Sequence, residues 1–163
     1  MAAVRRLNHA VLYVSDAERA ADFYRDVLGF EVAHQFPGAA FLRAANSPND
    51  HDLGLFGLGA GATKPRETVV GLYHLAWQVD TIDELVAVRG QLLAAGALVG
   101  ESDHHVSKSL YAVDPDGNEF EVMWAVPRKA WTGEAGTNRL NLDAEVARWA
   151  GTSTVTEANI VPV

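Results

Sequence analysis

The chain of 163 residues contains no cysteine, which excludes disulfide bonds, zinc–thiolate sites and a cysteine nucleophile. Any metal must therefore be held by histidine and carboxylate side chains. Lysine and arginine number only 13 against 21 acidic residues, and the resulting net charge of −8 disfavours nucleic acid as a partner. No apolar run reaches the roughly 18–20 residues of a membrane span, and the N-terminus lacks a signal-peptide pattern. We expect a cytoplasmic protein without a membrane partner.

The sequence contains the same pattern twice. A strand at 7–14 and a helix at 16–28 are followed by three short strands, and a strand at 72–79 and a helix at 81–96 are followed by three more. The predicted short strands are 30–35, 39–44, 52–56, 97–101, 108–114 and 119–126. His74 follows His9 by 65 residues, whereas Gly96 follows Gly29, and Pro115 follows Pro48, by 67. These nearly equal offsets indicate an internal repeat.

We therefore predict an α+β fold in a single domain over residues 1–163, with two tandem βαβββ modules at about 5–58 and 69–126. The modules are expected to form a curved mixed sheet with the helices outside, enclosing a metal-binding cup. A glycine-rich linker at 57–68 joins them. The C-terminal extension, 127–163, contains one short amphipathic helix that is expected to pack on the body, and we see no chemistry in it.

Strand alternation places three metal-binding side chains on one face of the predicted sheet. His74 lies opposite an apolar face that is expected to pack under a helix, and His9 has the matching position in the first module. Glu121 lies opposite the apolar face of the last strand. The two apolar faces consist of Tyr73, Leu75, Trp77 and Val79, and of Phe120, Val122 and Trp124. Two imidazoles and a carboxylate are typical of a divalent metal site such as non-haem Fe(II), although each could be only a hydrogen-bonded strand residue.

The segments LNHAVLYV, LYHLAWQV and SLYAVDPDGNEFEV resemble the vicinal oxygen chelate superfamily. The second half resembles the extradiol, catechol-2,3-dioxygenase-like branch, and the likeness covers about residues 5–126. The branch's signature is present here as His104, Leu110, Tyr111, Asp114-Pro115-Asp116-Gly117 and Glu121. Ser102 departs from it, because the pattern prefers Gly, Asn, Thr, Ile or Val two residues before the histidine.

The resemblance implies that His9, His74 and Glu121 hold the metal, with Fe(II) favoured over Mn(II) or another divalent ion. It implies an aromatic diol and O2 as substrates, and a homodimer or larger homo-oligomer. The implied activity is extradiol cleavage of a catechol-like ring. Two alternatives stay open: a non-catalytic protein that binds an antibiotic, and a glyoxalase-like lyase or isomerase.

The resemblance also implies three catalytic residues. His51 is the implied acid–base near bound O2, and Tyr111 and His104 would hydrogen-bond a catecholate oxygen or an intermediate. The alternatives are a turn residue for His51, a loop polar residue for His104 and a half-buried strand aromatic for Tyr111. His51 can act only from the entrance of its strand, because it lies three residues before Gly54 and would otherwise face away. His34 and His105 are expected to be structural or solvated.

Gly54 distinguishes the predicted site from that of a glyoxalase. Aligning Pro48 with Pro115 places Gly54 opposite Glu121. Glyoxalase-like members of the superfamily have a fourth metal ligand at this position, usually glutamate. Because glycine has no ligating side chain, the sequence favours three protein ligands and open metal positions, which suit O2 chemistry.

Overall fold

The computed structural model describes residues 3–64, 69–134 and 136–154. These residues belong to two compact units, Met1–Val70 with Asp114–Gly117 (unit 1) and Gly71–Val113 with Asn118–Val163 (unit 2). Each unit contains the strands and helix of one predicted module. The end of the predicted linker, 65–68, and the end of the extension, 155–163, lie outside the described residues.

Unit 1 contains one βαβββ module. Its elements are β1 (Ala10–Val14), α1 (Ala17–Leu28), β2 (Glu31–Phe36), β3 (Ala39–Arg43) and β4 (Leu53–Gly57). The sheet has the order β1-β4-β3-β2, with β1 parallel to β4 and the other pairs antiparallel. Helix α1 begins after Asp16, whose carboxylate accepts hydrogen bonds from the backbone amides of Glu18 and Arg19. It ends at Gly29, whose φ of 73° favours glycine.

Unit 2 repeats this arrangement and adds the C-terminal extension. Its elements are β5 (Leu75–Val79), α2 (Ile82–Ala94), β6 (Leu98–Asp103), β7 (Ser107–Val113), β8 (Glu119–Ala125) and α3 (Leu142–Trp149). The strand order, β5-β8-β7-β6, corresponds to that of unit 1. Even the register shift between the second and third strands recurs, at Val32/His34 and at Leu98/Gly100. The predicted α+β class and tandem modules are confirmed, and each module has its own four-stranded sheet.

The core of each unit lies between the sheet and its helix. In unit 1, Tyr24 of α1 is buried together with Leu42 of β3 and Leu55 of β4. In unit 2, Leu85 of α2 and Trp124 of β8 are fully buried. Burial of such side chains, each contributing about 1.5–3 kcal/mol, fixes the sheet faces that carry the polar residues described below.

The position of Tyr73 tests the prediction for the start of the first strand of unit 2. Tyr73 was predicted to pack beneath a helix, but it is 73% exposed. That prediction is wrong because β5 begins only at Leu75, so the alternation of the strand does not extend to Tyr73.

Helix α3 packs on α2, and its Trp149 contacts Trp124, as expected for the extension. Within the described ranges, no helix is long and apolar enough to cross a membrane.

Candidate functional site

In unit 2, an imidazole nitrogen and a carboxylate oxygen face each other at the start of β5. Nε2 of His74 lies 3.2 Å from Oε2 of Glu121, and the two side chains are only 24% and 12% exposed. The parallel pairing of β5 with β8 places Ala76 opposite Glu121 and so brings the carboxylate near His74. The other ring nitrogen, Nδ1 of His74, is buried and has no hydrogen-bond partner.

This pair of side chains fits a divalent metal. Two ligand atoms at right angles, each about 2.0–2.2 Å from the ion, lie about 3 Å apart, close to the observed separation of His74 and Glu121. The residues described contain no assembled group of three or more His, Asp or Glu side chains that could hold an ion. His9, the third predicted ligand, belongs to unit 1. The three-ligand site therefore stays a prediction.

In unit 1, His9 and His51 are in contact. His9 immediately precedes β1, as His74 immediately precedes β5. The ring centroids of His9 and His51 are 4.7 Å apart, and Phe41 packs edge-on against His51 at 5.0 Å. Because β4 begins only at Leu53, His51 lies at the entrance of the strand, which is the position that an acid–base role requires.

Asp50 holds the His51 ring from the side of the loop. One carboxylate oxygen of Asp50 lies 2.9 Å from Nδ1 of His51, and the other lies 3.2 Å from Nε2 of His34. These two hydrogen bonds keep the pKa of Asp50 below its usual value, and the bond with His51 has the larger effect. With Nδ1 engaged, Nε2 is the ring nitrogen of His51 that is available for proton exchange.

The sheet registers test the predicted equivalence of Gly54 and Glu121. Val11 lies opposite Gly54 between β1 and β4, and Ala76 lies opposite Glu121 between β5 and β8. Val11 and Ala76 are each two residues beyond the histidine that precedes the first strand of their module. Gly54 therefore occupies the Glu121 position of unit 1, as the sequence alignment predicts.

The space in front of Gly54 is tight for an added side chain. A Cβ atom at this position would lie 3.3 Å from Cγ2 of Val11 and 3.6 Å from the ring of Phe41. The first distance is shorter than ordinary van der Waals contact. Unit 1 thus contributes no carboxylate from this strand position.

His104 and Tyr111 form a hydrogen-bonded pair beside His74. Nε2 of His104 lies 2.8 Å from the hydroxyl of Tyr111, whose ring centroid is 5.8 Å from that of His74. Burial raises the pKa of Tyr111, and the charge of Glu121 on the neighbouring strand raises it further, against a smaller lowering by the hydroxyl of Ser109. Tyr111 therefore remains a neutral hydrogen-bond donor at neutral pH.

Two residues that contact predicted site residues, one in each unit, were not identified from the sequence. Asp50 could have been found, because it is adjacent to His51. Thr137, whose Oγ1 lies 3.1 Å from Nδ1 of His104, carries no motif and is 33 residues away in the extension. His34 and His105 are partly exposed and hydrogen-bonded to loop residues, as expected.

The turn that carries His104 is held by an ion pair. Lys108, with a side chain only 5% exposed, binds the carboxylate of Asp103. Burial raises the pKa of Asp103, but Lys108 and the amide of His105 lower it more, so the pKa is below the usual value. The ionised carboxylate is therefore bound more favourably in the folded chain than in the unfolded chain.

We expect Asp103→Asn to lower the free energy of unfolding by about 1.5–3 kcal/mol at pH 7, because Lys108 loses a charged partner. A depressed folded-state pKa gives full stabilisation above about pH 4, the ordinary aspartate value, and this stabilisation is lost at lower pH. Urea unfolding of both proteins at pH 7 and pH 2.5 measures the effect. A difference between the two proteins that stays the same at both pH values would contradict the role of the charge.

Comparison with known proteins relates these features to a family. The sequence model of the Glyoxalase/Bleomycin resistance protein/Dioxygenase superfamily matches residues 6–122 of this chain. A catechol-2,3-dioxygenase of Bacillus subtilis is 34% identical over 128 residues, which are 77% of this chain and 43% of that protein. Biphenyl-2,3-diol 1,2-dioxygenase 3 of Rhodococcus globerulus is 34% identical over 125 residues, 76% of this chain and 65% of that protein. The chain thus spans less than two thirds of each relative.

A solved structure extends the comparison to another reaction. The lactoylglutathione lyase of Agrobacterium tumefaciens is 27% identical and superposes with a TM-score of 0.55. The match covers 78% of this chain and 96% of the lyase. The same fold is therefore found in proteins named for different chemistry, and the residues of the site must distinguish between them.

Proposed function

Because the chain belongs to the Glyoxalase/Bleomycin resistance protein/Dioxygenase superfamily, we propose that it is a metal-dependent extradiol-type dioxygenase that cleaves a catechol-like ring with O2. The observation that carries this proposal is the His74–Glu121 pair beside Tyr111, whose hydroxyl is hydrogen-bonded to His104. It combines metal-binding atoms with a phenol that can bind a substrate oxygen. The names of the two dioxygenase relatives support an aromatic diol as the substrate class.

The proposed metal ligands are His9, His74 and Glu121, and Fe(II) is the proposed ion. When bound, such an ion supplies Lewis acidity for the two catechol oxygens and a redox centre for O2. The nitrogen and oxygen ligands of this set suit Fe(II) and also Mn(II). Metal content measured after anaerobic purification distinguishes the two ions.

The proposed roles of the other residues follow from their hydrogen bonds. The hydroxyl of Tyr111 donates a hydrogen bond to a substrate oxygen, and His104 orients that hydroxyl. His51 accepts and returns a proton at Nε2, while Asp50 holds the ring through Nδ1. Ring contacts with Phe41 and His9 restrict the rotation of the His51 ring.

A glyoxalase-like lyase or isomerase is the second candidate, and the similarity to the lactoylglutathione lyase favours it. Gly54 argues against a glyoxalase-like activity, because the position in unit 1 that is equivalent to Glu121 provides no additional carboxylate.

The proposed function is tested by loading the protein with Fe(II) under anaerobic conditions and then mixing it with air-saturated solutions of catechols or biphenyl-2,3-diol. We expect a yellow ring-fission product with matching O2 uptake, neither of which should occur without the metal. Turnover of lactoylglutathione is measured in parallel for the second candidate. The proposal fails if the Fe(II)-loaded protein consumes O2 with none of these diols.

A further inference from the structure

A short segment of the C-terminal extension is attached to the strand end that carries His104. Asp103, the last residue of β6, and Asn138 exchange backbone hydrogen bonds of 2.9 and 2.8 Å in an antiparallel bridge. The side chain of Asn138 lies 3.2 Å from Nε2 of His105. This segment, residues 136–138, pairs with the end of β6 through Asn138 and lies beyond the part of the chain that matches the family model.

Thr137, within this segment, contacts the predicted catalytic pair. Its Oγ1 lies 3.1 Å from Nδ1 of His104, while Nε2 of the same ring lies 2.8 Å from the hydroxyl of Tyr111. The imidazole of His104 is thus held at both nitrogens, once by the extension and once by Tyr111. A threonine hydroxyl can donate or accept a hydrogen bond, so it can pair with either tautomer of the ring.

We propose that Thr137 is a positioning residue for Tyr111 and acts through His104. The inference rests on the proposed function, in which the Tyr111 hydroxyl binds a substrate oxygen. The χ2 angle of histidine has broad minima, so hydrogen bonds at the ring nitrogens fix the plane of the ring. Without the Thr137 hydroxyl, His104 can rotate away from Tyr111, which then loses the partner that directs its hydroxyl.

Steady-state kinetics of the Fe(II)-loaded protein test this role. Thr137→Val removes the hydroxyl but keeps the shape of the side chain, and we expect kcat to fall about 3–10-fold, the effect of one neutral hydrogen bond, with KM nearly unchanged. Thr137→Ser should restore kcat. Asn138→Ala is the matched control, because it removes a contact with His105 and keeps the backbone bridge, so its kcat should equal that of the wild type.

Nitrogen-15 NMR of the metal-free chain provides a readout that does not depend on activity. The ring signals of His104, assigned by their loss in His104→Gln, should shift in Thr137→Val and stay in place in Thr137→Ser and Asn138→Ala. Unchanged signals in Thr137→Val, or an equal loss of kcat in Thr137→Ser, would overturn the inference. Failure of the proposed function looks different: the wild type would consume no diol, although Thr137→Val would still shift the His104 signals.

Discussion

Glu121→Ala is expected to weaken Fe(II) binding by more than about 100-fold and to abolish ring cleavage. Changes to residues that only support a metal ligand cost about 10–100-fold in affinity, so removal of the ligand itself should exceed that range. The variant also leaves His74 without its carboxylate partner. Anaerobic Fe(II) titration and O2 uptake with catechol measure the two effects.

Glu101→Ala is the matched control for this variant. Glu101 lies on β6 of the same unit and pairs with Arg89 at 2.7 Å, away from the proposed ligands. We expect this variant to bind Fe(II) as the wild type does. Thermal unfolding of both variants checks that the fold persists. Equal loss of Fe(II) in both would contradict the assignment of Glu121 as a ligand.

His51→Phe is expected to lower kcat by about 10²–10⁴-fold, the usual contribution of a general acid–base, while Fe(II) and the diol still bind. Phenylalanine preserves a ring that packs against His9 and Phe41 and removes both ring nitrogens. Single-turnover O2 consumption and diol titration separate the chemical step from binding.

His34→Phe is the control, because His34 binds the same Asp50 carboxylate but carries no predicted role. It should retain nearly full turnover. Normal turnover in His51→Phe would show that the acid–base assignment is wrong. An equal loss in both variants would show that the effect arises from Asp50 and its loop.

The fold could be predicted well because its signals are local and occur twice. Asp16 and Gly29 mark the ends of α1 through hydrogen bonds to nearby residues, and Gly96, 67 residues after Gly29, also has a positive φ, just after the end of α2. Tyr73 shows the limit of this reasoning. Apolar alternation does not mark where a strand begins, and Tyr73, two residues before the first residue of β5, is exposed.

The site could be predicted only where a motif or the repeat marked its residues. His74 and Glu121 adjoin, because the parallel register of β5 and β8 follows from the module pattern. Asp50 is marked only by its adjacency to His51, and the single hydrogen bond between Thr137 and His104 leaves no periodic trace in the sequence. A contact such as that of Thr137, which depends on how the extension folds back on β6, requires three-dimensional coordinates.

The tight space in front of Gly54 bears on how this chain could be redesigned toward a site with an additional carboxylate. A glutamate introduced there would place its Cβ atom 3.3 Å from Cγ2 of Val11, so Val11 must shift by a few tenths of an ångström to admit it. A smaller residue at Val11 removes this contact, whereas Phe41, at 3.6 Å, is at ordinary van der Waals distance and can stay. The order of mutations therefore matters: Val11 is changed before Gly54 or together with it.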